Sequence, residues 1–145
     1  MSIGFYDNSI LNFDYQPPCL IIKVKKLEHN EEEFIMSELV LKKFFEMKQN
    51  GKPIRFAYMF IIETINICDI PLMKRIGSIL DKYKEKAKKQ VFASSVVIDS
   101  NLSGVVKILK KLMYIFKNEV PTTFVHNIKD AKEFINKYRP VELKT

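Results

Sequence analysis

The sequence predicts a single α/β domain with a mainly parallel central sheet and an antiparallel element at its N-terminus. Three observations predict it. Two runs, IRFAYMFII (54–62) and VFASSVVI (91–98), are almost wholly apolar, as strands covered on both faces are. The segments around them switch to helical spacing. No repeat, low-complexity tract or Gly/Ser linker divides the 145 residues, a length that suits one core. The expected order is ββαβαβαβα, with right-handed crossovers between parallel strands. The domain is expected over residues 10–139, with tails at 1–9 and 140–145.

Each element has its own local signal. Leu11, Phe13 and Tyr15 alternate with polar residues, as in a half-buried strand. Gln16-Pro17-Pro18 breaks the chain, and CLIIKVKKL places Leu20, Ile22 and Val24 on one face of a second strand. Asn30 is placed to cap the first helix, with Glu33 in the capping-box position and Glu31, Glu32 and Glu33 at the positive dipole end. Ile35, Met36, Leu39, Val40, Phe44 and Met47 are expected to be its buried stripe, and Asn50-Gly51 its end. After the first apolar strand, Leu72, Ile76, Leu80, Tyr83 and Ala87 are spaced as one helix. A third helix is expected over Leu102–Phe116, a last strand over Pro121–Val125, and a final helix capped by Asn127 and stopped by Pro140.

Composition narrows the function classes. The apolar fraction is 47%, with eleven Phe and six Tyr, which argues for a folded globular protein. No apolar run approaches the roughly 18 residues of a membrane span. The N-terminus lacks a basic segment ahead of an apolar block, so no secretory signal is expected and the expected location is cytoplasmic. Cys19 and Cys68 have no CxxC companion, and His29 and His126 are the sole histidines, so neither a metal site nor a cofactor is expected. The net charge of +7 is unevenly spread. Residues 1–73 carry eight Lys/Arg against ten Asp/Glu, and residues 74–145 carry sixteen against seven. A basic half of this kind could attract a polyanion or an acidic partner. Its cations are nearly all lysines, which lack the bidentate fork of base readout.

The element order and two segments together resemble the STAS domain, the fold of anti-sigma-factor antagonists and of the cytoplasmic tails of sulfate transporters, and of related STAS/Sec14-like small proteins. The first segment is RFAYMFIIE running through TINICD into a helix. The second is VVIDSNLSGVVKILKKL followed by PTTFVHNIKDAKEFI, where Ala131 precedes an aromatic. The resemblance covers roughly residues 10–138 in organisation. It implies a regulatory module without catalysis, in which an Asp followed by a phosphorylatable Ser or Thr starts the second helix and docks on a partner kinase. Asp69 matches that Asp, but Ile70 and Pro71 follow it, and neither accepts phosphate. Ser78 lies two turns further on.

The expected partner-binding set is therefore Asp69, Ile70, Pro71, Leu72, Lys74, Arg75 and Ser78, with a protein partner and without a phosphorylation toggle. A homodimer is also compatible. Asp69 also reads simply as an N-cap ahead of an early-helix Pro, which needs no function. A second set, Lys82, Lys84, Lys86, Lys88 and Lys89, would serve nucleic acid or anionic lipid if the basic half binds a polyanion. Other features carry weaker signals. Ser94-Ser95 and Asp99-Ser100 sit along and at the carboxyl end of a strand, where open sheets bind ligands. His126 could pair with Asp130. Cys68, beside a helix start, could be a lowered-pKa thiol.

Overall fold

The computed structural model describes residues 5–25, 31–62, 70–98 and 120–143. Three strands open the chain, β1 (Phe5–Asp7), β2 (Leu11–Gln16) and β3 (Cys19–Val24), followed by helix α1 (Glu31–Glu46). A small hairpin of β4 (Lys48–Gln49) and β5 (Lys52–Pro53) leads into β6 (Phe56–Ile62). Helices α2 (Ile70–Lys82) and α3 (Lys84–Gln90) precede β7 (Val91–Ile98). Strand β8 (Thr122–Val125), helix α4 (Ile128–Tyr138) and a 3-10 turn over Val141–Leu143 complete the described chain. The expected helix over 102–116 and the cap at Asn30 lie outside the described residues.

The main sheet runs β1-β2-β3-β6-β7-β8. The first two pairings are antiparallel and the next three parallel, so the fold is mixed α/β with a mostly parallel central sheet. Its middle is set by side chains with no polar face. All eight residues of β7 are buried, and Phe56 to Met59 of β6 are buried beside them. Only a strand flanked by neighbours and covered above and below suits such residues. Strand β3 keeps the two-residue alternation, with Leu20, Ile22 and Val24 buried.

The pleat divides the core in two. On one face Phe13, Leu20, Ile22, Phe56 and Tyr58 meet Phe34, Leu41, Phe44 and Phe45 of α1, Ile79 of α2 and Tyr83 just after it. On the other, Ala57, Met59, Ala93 and Val97 meet Ala131 and Ile135 of α4. Asn127 positions α4 by accepting a hydrogen bond from the Asp130 backbone N–H at 2.8 Å.

Several elements differ from the sequence expectation. The inward face of α1 is Phe34, Ser37, Leu41, Phe44 and Phe45, while Ile35, Met36 and Leu39 point outward at 49%, 47% and 43% exposure. The helix carries more apolar residues than one stripe can hold, and the larger aromatic set wins the core because it buries more surface. The single helix expected from Leu72 to Ala87 is two, interrupted at Tyr83, whose backbone leaves the helical region (φ −104, ψ 12). Asn50-Gly51 does not end α1, which stops at Glu46; the pair forms the turn of the β4–β5 hairpin. Both residues have positive φ (55 and 76), as a type I′ turn requires. Residues 5–7, within the expected tail, form an edge strand on β2. Glu142, within the other, pairs with Arg55 at 2.9 Å.

Two polar side chains stitch the layers. Gln90, buried at the end of α3, donates through Nε2 to the carbonyls of Phe45 and Ile54, each at 3.1 Å. It satisfies an orphan carbonyl at the C-terminal end of α1 and one ahead of β6. Asn8 accepts from the backbone N–H groups of Ile10 and Leu11 at 2.9 and 2.8 Å, turning β1 into β2. Its amide donates to Ser37 Oγ at 3.0 Å, which is why a serine sits on the apolar face of α1.

The phase of α1 is open to a direct check. Phe34→Ala, at a site 2% exposed, should cost about 3–5 kcal/mol in urea unfolding of dilute protein. The adjacent Ile35→Ala should change it by less than about 0.5 kcal/mol. Similar losses for both would mean that α1 is rotated from the orientation described.

Candidate functional site

Helix α2 begins at Ile70, with Pro71 in its first turn, where a missing N–H leaves no intrahelical bond unmade. Asp69 lies outside the described residues, and so do the side chains of Ile70, Pro71 and Leu72. What can be built is the turn that follows them. Lys74 and Ser78, four residues apart, are exposed on one side of the helix. Arg75 takes a different role from the one expected of a free docking cation. Its Nη2 donates to Glu31 Oε1 at 2.5 Å, and its guanidinium lies 5.6 Å from the centre of the Phe34 ring. It fastens the start of α2 to the start of α1.

A second strap lies two turns on. Lys82 Nζ donates to Glu38 Oε2 at 3.0 Å. This hydrogen bond, with the attraction of the same carboxylate, holds the Lys82 ammonium above its ordinary pKa. The remaining lysines of the basic set are exposed on α3, and several already have carboxylate neighbours. Lys84 lies 3.7 Å from Asp81 and Lys88 lies 3.9 Å from Glu85. Lys86, like Lys82, sits 5.9 Å from the centre of the Tyr83 ring. Such exposed pairs exchange with solvent at little cost, so a polyanion could displace them. Residues 70–90 carry seven Lys/Arg and two Asp/Glu, a net of +5 for the α2–α3 segment.

The other sequence candidates separate into structural roles. Ser94 and Ser95 are buried within β7, and Ser95 Oγ donates to the Ala131 carbonyl at 3.3 Å, joining strand to helix. His126 does not pair with Asp130: its Nδ1 lies 3.0 Å from the Ile98 carbonyl, and the Asp130 carboxylate accepts from Asn127 Nδ2 at 3.1 Å. Asp99-Ser100 and Cys68 lie outside the described residues. Cys19, at the start of β3, is a thiol whose pKa burial pushes up, against the opposing pull of Lys132 and Arg139. An uncharged thiol of this kind is a poor nucleophile. Among the described residues no group of three or more His, Cys, Asp and Glu is arranged to hold a metal ion. No helix among them is long and apolar enough to cross a membrane.

The outward apolar cluster of α1 is the surface that sequence reasoning missed. Its signal was present: apolar residues at 34, 35, 36, 39, 40, 41, 44 and 45 occupy too wide an arc for one buried stripe. Comparison with protein families, with curated proteins and with solved structures finds no match for the chain.

The Lys82–Glu38 strap has a pH signature. Because Lys82 titrates higher when folded, its contribution is complete below the unfolded lysine pKa of about 10.4 and is lost as pH rises through the folded value. Thermal unfolding should therefore show a larger drop in Tm from about pH 9 to about pH 11.5 for the native chain than for Lys82→Met. Equal drops would mean that the strap does not hold in solution.

Proposed function

We propose that this chain is a non-catalytic, STAS-like regulatory module that recognises another protein through the N-terminal end of α2, around Ile70–Ser78, without a phosphoswitch. The observation that carries the reading is the division of labour on that helix. Arg75 is committed to Glu31 and holds the helix start against α1, while Lys74 and Ser78 face solvent one turn apart. A helix end anchored on one side and open on the other is preorganised for docking, since little ordering remains when a partner arrives. The strand and helix alternation supports the family reading. The absence of a hydroxyl at Ile70 and Pro71 argues against a phosphorylation toggle. Lys74 favours an acidic or mixed patch on the partner.

The alternative is a polyanion-binding protein that uses Lys82, Lys84, Lys86, Lys88 and Lys89 against nucleic acid or anionic lipid. The net charge of +5 over the α2–α3 segment favours it.

One set of binding measurements separates the two. The immobilised chain should retain a stoichiometric protein from its native host between about 50 and 200 mM salt, because a packed interface releases few counterions. Ile70→Asp should abolish that retention, Lys74→Glu should weaken it, and Lys86→Glu with Lys89→Glu should leave it intact. Loss of heparin or anionic-vesicle binding across the same salt range, sensitive to Lys86 and Lys89 and indifferent to Ile70, would replace the first reading with the second.

A further inference from the structure

We propose that the outer face of α1 is a self-association surface, on which a second copy of the chain packs its own α1 in the antiparallel sense. Ile35, Met36 and Leu39 are exposed large apolar side chains on a helix whose opposite face already fills the core. They lie three and four residues apart and so form one patch, not scattered contacts. Nothing in the packing of the sheet calls for them, because Phe34, Leu41, Phe44 and Phe45 meet that need.

The charges flanking the patch select its occupant. Glu32, Met36, Leu39 and Lys43 follow one another at spacings of four, three and four, which places them along one stripe of the helix. Glu32 and Lys43 are both exposed, one at each end of that stripe. The midpoint between Met36 and Leu39 is also the midpoint between Glu32 and Lys43. A two-fold axis through that point sets Met36 against Leu39 of the partner subunit. The same rotation sets Glu32 against the partner's Lys43, and Lys43 against the partner's Glu32. The pattern is self-complementary, as a closed dimer interface must be. A parallel arrangement would instead stack like charge on like. The twelve residues from Glu32 to Lys43 span about 16 Å, a length over which two helices crossing at about 20° stay in contact.

This surface shares no residue with the Ile70–Ser78 end of α2, so the two proposals stand or fall apart. The test is the oligomeric state of the full chain by sedimentation equilibrium. The native chain should be a reversible dimer, and Leu39→Glu should be monomeric with an unchanged circular dichroism spectrum. Should that variant fail to fold, Met36→Lys makes the same measurement. Glu32→Lys and Lys43→Glu should each weaken the dimer by on the order of tenfold, since each replaces two attractions by two repulsions. The double variant should regain the native dissociation constant, while Ile70→Asp should remain dimeric. A native chain that stays monomeric at every concentration overturns the proposal, whether or not the patch binds some other protein. A double variant no better than either single one overturns the antiparallel pairing.

Discussion

The fold depends on one aromatic cluster centred on Phe56. That side chain is wholly buried at the start of β6, edge-on to Phe44 at 4.7 Å and to Tyr58 at 5.4 Å, with Phe45 at 5.5 Å. Tyr15 of β2 extends the cluster through Phe44, and Tyr83 extends it by stacking on Phe45 at 5.7 Å. One set of rings therefore joins an N-terminal strand, the central strand, α1 and the break between α2 and α3. Edge-to-face pairs add about 0.5–1.5 kcal/mol each beyond the area they bury, and they also fix angles. The orientation of α1 follows from this. Once Phe44 and Phe45 are committed to Phe56, Ile35, Met36 and Leu39 have to face out.

Charge then refines what packing has arranged. Helix α1 carries five Glu against two Lys, and the α2–α3 segment beside it carries seven Lys/Arg against two Asp/Glu. The attraction is realised at two points, Arg75 with Glu31 and Lys82 with Glu38, spaced along both helices. Exposed pairs of this kind contribute little to stability, but they set the register of one helix against the other. Part of the positive surplus that suggests polyanion binding is thus absorbed inside the protein. What remains is concentrated on α3, away from the start of α2. The spatial separation gives the two readings of function different residues to depend on.

Much of this was legible in one dimension. The almost wholly apolar runs of β6 and β7 identify buried strands because neither carries a polar face that demands water. The alternation of β2 and β3 identifies strands with one wet face. Asn127 followed by Asp130 marks the start of α4. The rotation of α1 was not legible, because its apolar residues fill an arc wide enough for two answers. Nor could the break at Tyr83 be read, since Leu80, Tyr83 and Ala87 keep helical spacing across it. The roles of Arg75, Ser95 and His126 depend on atoms far away in sequence, a Glu31 carboxylate, an Ala131 carbonyl and an Ile98 carbonyl.

The sequence by itself determined the α/β class, the central strands and most element boundaries, because hydrophobic period and turn chemistry are local properties of a chain. Only the tertiary structure decided which face of α1 is buried, which cations are already occupied and which apolar side chains are left to meet another molecule. Those outcomes are competitions between residues distant in sequence for the same contacts, and a competition is settled only when all the competitors share one space.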